Sequence, residues 1–284
     1  MKIAFFLLAC YNTGSNASKG GAIVERREKI AHLAQSKEDE VLLARVYERI
    51  TQGALRNIPA STCFLSKREQ MLAQELLRGE DFRFFGGTEA AEREVCCYLP
   101  DYLDEDWLFS EDGPIAAVRA SFFEEDRLTH RDFLGSLMGC GIKRETVGDI
   151  FVSGGACDFL VLREMLPYVL QNLVSAGRTK LRVEKIALCE LHIPAQAVKT
   201  VRDTVSSLRL DGVVSSGFSI SRGKAAEYIA AGKCELNYLP CQKGDRGVCE
   251  GDKISVRGLG KIQLKTVGGS TKKGRISIEI IRFL

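Results

Sequence analysis

The chain has 284 residues, of which 45% are hydrophobic and 27% charged, and its net charge is +3. A chain of this length can bury two or three cores of its own, which excludes a small scaffold held together by disulfides. The charge is uneven, because residues 81–180 contain 10 Lys and Arg against 18 Asp and Glu, whereas residues 181–284 contain 18 against 10. The basic end indicates either a polyanionic partner or a solvated basic surface.

The ten cysteines are scattered along the chain and form no CxxC pair of the kind that zinc sites use. We therefore expect no metal, and no motif indicates a cofactor. The simplest interpretation is a cytosolic protein whose thiols are free and mostly buried.

The first 22 residues stand apart from the predicted fold. The opening MKIAFFLLAC resembles a bacterial lipoprotein signal ending at Cys10, and the following NTGSNASKGG is typical of a flexible linker. The apolar run of about eight residues is too short to span a bilayer. We interpret residues 1–22 as a misassigned start, a leader or a disordered segment, and we expect a cytoplasmic protein that is not attached to a membrane.

Residues 23–80 predict a helical N-terminal module. Apolar side chains recur at helical spacing in EKIAHLAQSKEDEVLLARVYERI. Ser66, with Glu69 three residues later, predicts a capping box at the start of a further helix, and Gly79 is a reasonable end for it.

Residues 81–191 alternate between strands and helices. FRFFGG, VCCYL and IAAVRASF predict strands, whereas EAAERE and HRDFLGSLMGCG predict helices. GDIFV and CDFLVL predict a hairpin around Gly154 and Gly155, followed by a helix in REMLPYVLQNLVSAG and a closing strand in RVEKIALCEL. This mixture predicts a compact α+β sandwich of the ferredoxin-like or RRM-like type. No aromatic string of the kind that stacks RNA bases in an RRM is present, and the acidic stretch 101–112 is most simply a solvated loop.

Residues 195–284 predict two helices, at 205–217 and 221–231, followed by a small sheet. Its strands are predicted in KCELN, KISVRG, KIQLKTV and RISIEIIRF. The whole chain is therefore predicted to be an α+β protein of three parts, with limits at 23–80, 81–191 and 195–284.

Several catalytic motifs are present only in part. HRD at residues 130–132 lacks the asparagine of a kinase catalytic loop, because position 137 is Leu, so Asp132 more simply begins a helix. RLDG at 209–212 resembles the catalytic motif of pseudouridine synthases, but only a small sheet follows, and we place Arg209 and Asp211 on the polar side of a helix. The three histidines, His32, His130 and His192, each stand alone.

The stretch GCGIKRETVGD contains a G-x-G beside a basic pair. It follows a helix rather than a strand, which argues against a dinucleotide site. It is either an ordinary turn after a helix or a turn that exposes Lys143 and Arg144 to phosphate.

The start of the second C-terminal helix is crowded with cations. Ser221 can cap that helix, and Arg222 and Lys224 project from its first turn. Positive side chains oppose the helix dipole at this end, but free amides, the dipole and two cations together favour a phosphate ligand. Arg209 before the helix pair and Lys233 after it could extend the patch.

The segments RLDGVVSSGFSISRGKAAEYIAAGKCELN and EGDKISVRGLGKIQL resemble an S4 RNA-binding domain. FRFFGGTEAAERE, LTHRDFLGSLMGCGIKRETVGDIFV and KKGRISIEI resemble the YlmH family of bacterial S4-domain proteins, over about residues 70–284. The resemblance implies a helical N-terminus, a central RNA-binding α/β domain and a C-terminal S4 domain. It also implies a cytosolic RNA binder linked to the cell-division gene cluster and to large ribosomal subunits that carry stalled peptidyl-tRNA.

By position, the resemblance implies an RNA face made of Arg209, Ser221, Arg222, Lys224 and Lys233. Two features depart from the family pattern. The LLAC leader does not fit a cytosolic family, and Gly223 is a poor early-helix residue that predicts a looser turn.

The leading hypothesis is a non-enzymatic, monomeric RNA-binding protein that docks on rRNA of the large ribosomal subunit, with tRNA as a candidate second RNA. One alternative is an RNA-modifying enzyme of the pseudouridine-synthase type, or one that uses Asp132 or Asp149 of the central domain. Another is an interaction scaffold for cell-division factors. The sequence leaves open whether the central domain contacts RNA or protein.

Overall fold

The structure is a computed structural model in which residues 27–195, 197–271 and 274–284 are described. The fold mixes helices with antiparallel sheets, which confirms the predicted α+β class. The predicted leader, residues 1–22, lies outside the described residues.

The N-terminal part begins with α1, helical over residues 27–33, and continues with α2 (Lys37–Arg56), β1 (Ala60–Leu65) and α3 (Lys67–Leu76). The capping box predicted at Ser66 is confirmed: Ser66 Oγ accepts from the Glu69 amide at 3.4 Å, and Glu69 Oε2 accepts from the Ser66 amide at 2.6 Å. These paired bonds satisfy two amides that α3 leaves without intrahelical acceptors.

A three-stranded sheet extends this part beyond its predicted end. Its order is β1-β3-β2, with β2 at Arg83–Phe85 and β3 at Glu94–Tyr98. The N-terminal part is therefore not only helical, and its sheet crosses the limit predicted at residue 80.

The helix predicted in EAAERE is wrong, because residues 89–93 form turns and bends that lead into β3. Two observations explain this. Six residues are too few to stabilise a helix without tertiary support. Asp149 also accepts hydrogen bonds from the amides of Glu92 and Arg93, at 2.6 and 3.2 Å, which holds the turn in place.

The central part has the connectivity β-α-β-β-α-β, with a small extra hairpin before its last strand. Its elements are β4 (Ile115–Ser121), α4 (His130–Gly139), β5 (Val147–Ser153), β6 (Ala156–Leu162), α5 (Leu166–Asn172), β7 (Ser175–Ala176), β8 (Thr179–Lys180) and β9 (Arg182–Ile186). The sheet order is β5-β6-β4-β9, with all neighbours antiparallel. The predicted hairpin around Gly154 and Gly155 is confirmed, and both glycines have positive φ, at 55° and 78°.

The central sheet is packed on both faces. One face shares a core with α4 and α5, which bury Phe133, Leu137 and Val169. Side chains of the other face, among them Ile115 and Leu160, share a core with the N-terminal sheet. The face that an RRM would offer to RNA bases is therefore covered over this area.

Gly148 allows the two sheets to approach closely. A Cβ atom there would lie 2.7 Å from the Phe64 ring and 2.9 Å from Cβ of Leu160. Phe64 is only 1% exposed, so a side chain at position 148 would displace a packed ring.

The C-terminal part consists of β10 (Val198–Val205), α6 (Leu210–Phe218), α7 (Arg222–Ala230), β11 (Cys234–Leu236), β12 (Leu239–Pro240), β13 (Lys253–Val256), β14 (Gly260–Ser270) and β15 (Ile276–Phe283). Its sheet order is β10-β15-β14-β13-β11-β12, and α6 and α7 pack together and share one core with the sheet. The second predicted helix is confirmed, since α7 spans Arg222–Ala230 with Ser221 as its N-cap.

The start of the first predicted helix is wrong. Val205, expected to begin it, instead ends β10, and α6 begins at Leu210. Five of the eight residues in VKTVRDTV are Val or Thr, which favour strands. β10 pairs with β15 along its whole length, from Val198 with Phe283 to Val205 with Ile276. β10 is therefore a strand that was not predicted.

Among the described residues, no helix is both long and apolar enough to cross a membrane. In the same part of the chain, no group of His, Cys, Asp and Glu side chains is arranged to hold a metal ion. The described cysteines are free: Cys96, Cys97, Cys157 and Cys234 are buried, whereas Cys189 and Cys249 are exposed. Burial raises the pKa of the Cys96 and Cys234 thiols to about 12, so both stay protonated at neutral pH.

Candidate nucleic-acid interface

A tight link joins the two helices that carry the predicted phosphate site. Ser219 ends α6 in the left-handed conformation, with φ of 56°, and the Ser215 hydroxyl donates to the Ile220 carbonyl at 2.7 Å. Ser221 then caps α7. The chain reverses within three residues, which places the start of α7 beside α6.

The Asp211 carboxylate holds two of the predicted site residues together. Arg222 Nη2 donates to both of its oxygens, at 3.0 and 3.2 Å, and Arg209 donates to them through Nε and Nη2, at 3.4 and 3.3 Å. The two arginine side chains remain 51% and 43% exposed, whereas Asp211 is only 7% exposed. The cluster therefore presents two oriented guanidinium groups to solvent above one buried acid.

The expected place of Asp211 on the polar side of the helix is thus corrected: its side chain is buried and bound. Burial raises the pKa of the Asp211 carboxyl, but hydrogen bonds from Arg222 and Arg209 outweigh this and hold the pKa below its usual range. Asp211 is therefore ionised at neutral pH, and it neutralises one of the two arginine charges.

The loop formed by residues 243–247 is hydrogen-bonded to the start of α6. The amides of Leu210 and Asp211 donate to the carbonyls of Arg246 and Gly244, both at 2.9 Å. These bonds occupy amides that could otherwise receive a phosphate, so the start of α6 is not an anion site. They also bring the exposed residues Lys243 and Arg246 close to the Arg209 end of the cluster.

The start of α7 combines a serine cap with exposed residues in the first turn. Ser221 Oγ accepts from the Lys224 amide at 3.2 Å, and Arg222, Gly223 and Lys224 are exposed. Gly223 lies within the first turn, so the looser turn expected there is not found. Within the described residues Lys224 forms no ion pair, so its ammonium group is free to bind a ligand.

Lys233 lies at the other end of α7. It follows Gly232, and its ammonium group lies 5.4 Å from the centre of the Tyr228 ring. A nine-residue helix separates it from Arg222 by about 13 Å. The structure therefore places Arg209, Arg222 and Lys224 at one end of α7 and leaves Lys233 apart from them.

The two basic residues predicted in the central part differ in accessibility. Lys143 is exposed, but the Arg144 guanidinium turns into the fold and donates to the carbonyls of Val147 and Gly148, at 2.5 and 3.1 Å. Burial, with repulsion from Arg93, lowers the pKa of Arg144 to about 10. Arg144 therefore supports the backbone of β5, and its prediction as an exposed phosphate contact is corrected.

The candidate catalytic acids of the enzyme hypothesis are both engaged in structural bonds. Asp132 Oδ2 accepts from the Thr129 amide at 2.8 Å and from its hydroxyl at 2.6 Å, which closes a capping box on α4. Asp149 accepts from the two backbone amides that hold the turn before β3. Asp149 thus has both oxygens bound by backbone amides, whereas Asp132 uses one oxygen to cap a helix.

Replacing Asp211 by Asn should remove the negative charge but keep the size of the side chain. Because the arginines are about half exposed, we expect the free energy of unfolding at pH 7 to fall by about 1–2 kcal/mol. The folded pKa of Asp211 is depressed, so this stabilisation is present above the ordinary carboxyl pKa of about 4 and is lost as the pH falls through the folded pKa. Wild type and variant should therefore converge in acid, as measured by urea unfolding between pH 7 and pH 2.

The matched control is Asp245→Asn, which removes an exposed acid from the loop beside the cluster. It should leave the unfolding curve at pH 7 unchanged. A difference between Asp211→Asn and wild type that stays constant down to pH 2 would show that the carboxylate charge is not what stabilises the cluster.

Two comparisons with known proteins bear on the family of the chain. Residues 121–190 match the family model described as "Putative RNA-binding domain in YlmH". The "Ribosome-associated protein quality control protein P2" of Bacillus subtilis (strain 168) is 34% identical over 232 residues, covering 81% of this chain and 88% of that protein. The chain belongs to the YlmH family. The predicted family is thus confirmed.

A solved structure, "Cell division protein ylmH from Streptococcus pneumoniae", is 22% identical and covers 55% of this chain and 96% of its own, with a TM-score of 0.45. In this YlmH-family chain, the matched RNA-binding domain begins at the end of β4 and ends after β9. Arg209, Arg222 and Lys224 lie outside the matched residues 121–190, so the cluster at the start of α7 and the matched domain belong to different parts of the chain.

Proposed function

We propose that this chain is a non-enzymatic RNA-binding protein that docks on structured rRNA of the large ribosomal subunit through the start of α7. The observation that carries the proposal is the arrangement of Arg209 and Arg222 on buried Asp211, beside Lys224 and the Ser221 cap. Two oriented guanidinium groups, a free ammonium group and the positive end of a helix dipole together suit backbone phosphates.

Family membership supports the ribosomal part of the proposal. The matched family model describes an RNA-binding domain, and the Bacillus relative is named for ribosome-associated quality control. We infer from these that the chain is cytoplasmic and binds ribosomes. We further propose that it binds as a monomer, with tRNA as a candidate second RNA.

The architecture supports an S4 assignment of the C-terminal part and a ferredoxin-like assignment of the central part. In the C-terminal part, two short helices pack on an antiparallel sheet, as the resemblance implies. The central connectivity β-α-β-β-α-β and the strand order β5-β6-β4-β9 suit a ferredoxin-like domain.

A non-enzymatic role is supported by the state of the acids that an RNA-modifying enzyme would use. Asp132 and Asp149 bind backbone or capping groups, and Asp211 binds two arginines. A catalytic acid or nucleophile acts on its substrate, whereas Asp132 Oδ2 and both oxygens of Asp149 and Asp211 already accept hydrogen bonds from groups of the protein itself.

Contacts to the backbone position an RNA-binding protein but carry no sequence information of their own. We therefore expect recognition of RNA shape. In the central part, an RNA contact would use exposed loops such as that of Lys143, because both faces of its sheet are packed.

The proposal is tested by measuring the affinity of the purified chain for separated large and small ribosomal subunits at a series of salt concentrations. We expect preferential binding to the large subunit and a linear fall of log K with log salt, with a slope of about −0.9 for each neutralised phosphate. Equal affinity for both subunits, or binding that does not depend on salt, would contradict the proposal.

A further inference from the structure

The turn between β11 and β12 contains a tyrosine where a glycine is expected. Leu236 pairs with Leu239, so Asn237 and Tyr238 form a two-residue hairpin turn. Both have positive φ, 49° and 66°. Turns of this kind favour Asn followed by Gly, because a bulky side chain rarely adopts positive φ.

Neighbouring residues hold this unfavourable conformation in place. The Asn237 side chain donates to Asp252 Oδ1 at 2.8 Å and accepts from the Lys253 amide at 2.9 Å. The Asn237 amide also donates to the Lys253 carbonyl at 2.8 Å. Strained backbone that is fixed in this way from several sides is found preferentially at functional sites.

Packing in the C-terminal core does not account for the tyrosine side chain. Tyr238 is partly exposed and is not among the residues packed against the C-terminal core, whereas Tyr228 and Leu236 are. Within the described residues its hydroxyl has no hydrogen-bond partner. The Lys253 ammonium group lies 6.0 Å from the centre of its ring.

The hairpin lies at the edge of the sheet and continues from Lys233. β11 connects Lys233 to the turn, so the two lie about 13 Å apart along the strand. The exposed Arg257 lies at the Lys233 end, where its amide donates to the Lys233 carbonyl at 2.8 Å, and Lys253 lies at the Tyr238 end. This edge of the sheet therefore carries Lys233 and Arg257 at one end, and Lys253 with the Tyr238 ring at the other.

We propose that Tyr238 is a stacking platform for an unpaired base of the bound RNA, with Lys253 beside it to contact the adjoining phosphate. Aromatic rings next to cations bind single-stranded segments in this way, because every base has a face that can stack and every nucleotide has a phosphate. This inference rests on the proposed function and adds to it a second RNA contact that recognises an unpaired nucleotide.

Two variants separate a stacking role from a structural one. Tyr238→Phe keeps the ring and should bind purified large ribosomal subunits as wild type does. Tyr238→Gly removes the ring and relieves the turn, so we expect affinity to fall about 10-fold while the melting temperature stays the same or rises. Tyr102→Ala, which removes a 62% exposed tyrosine from another part of the chain, should change neither quantity.

The outcomes distinguish the failure of this inference from the failure of the proposed function. If wild type does not bind large subunits, the proposed function fails and the stacking site fails with it. If wild type binds and Tyr238→Gly binds equally well, or melts at a lower temperature, only the stacking site is overturned. Ultraviolet crosslinking should link Tyr238 to a nucleotide, and a crosslink to a ribosomal protein instead would also overturn it.

Discussion

Replacement of both Arg222 and Lys224 by alanine is expected to weaken binding to large ribosomal subunits by about 100-fold. Each of the two substitutions removes one charge-assisted contact to a phosphate of the RNA. The slope of log K against log salt should become shallower by the equivalent of about two phosphates. Both side chains are exposed, and Asp211 keeps Arg209 as a partner, so the fold should survive. Co-sedimentation at several salt concentrations, together with thermal melting, measures these effects.

The matched control uses two exposed cations of the same domain. Arg202 and Lys265 both pair with Glu279 on the sheet, away from the start of α7. Their double replacement by alanine removes the same charge and should leave binding nearly unchanged. Equal losses in the two double variants would mean that net charge attracts the RNA. Unchanged sedimentation of the Arg222 and Lys224 variant would contradict the proposed site.

The features that the sequence predicted correctly depend on residues close together in the chain. The capping box joins Ser66 and Glu69, which are three residues apart. The cap of α7 likewise joins Ser221 to the amide of Lys224, three residues later. The bonds that define these caps form within a single helical turn, so no knowledge of the tertiary fold is needed.

The Asp211 cluster could be predicted only in part. Arg209 and Arg222 were both expected at the site, but the carboxylate that orients them was expected on the polar side of a helix and is instead buried. Its burial depends on the loop 243–247, whose carbonyls bind the start of α6 from more than 30 residues away. The same loop brings Lys243 and Arg246 to the site, and the run QKGDRG was the only sequence signal for them.

The sheet β1-β3-β2, which crosses the limit predicted at residue 80, also depends on contacts between residues far apart in the chain. β1 was included in the predicted helical module, and its partner β3 begins 29 residues after β1 ends. Strand pairing over such distances leaves no local pattern other than β-branched and aromatic composition.

Replacement of Phe64 by alanine should lower the free energy of unfolding by about 3–5 kcal/mol, because the fully buried ring lies between the N-terminal and central sheets and leaves a cavity. Gly148 lies against that ring and has no side chain that could fill the cavity. Urea unfolding measures the loss. Phe123→Ala, at a 78% exposed position, is the control and should unfold as wild type does.

The same variant tests whether the two sheets form one cooperative unit. Because Phe64 shares a core with Ile115 and Ala117 of β4, we expect amide-hydrogen protection to fall together in β1 and β4. Loss of protection in β1 and β3 alone, with β4 unchanged, would show that the N-terminal sheet unfolds separately. In that case the face of the central sheet could be uncovered by local opening, and an RNA contact there would become physically accessible.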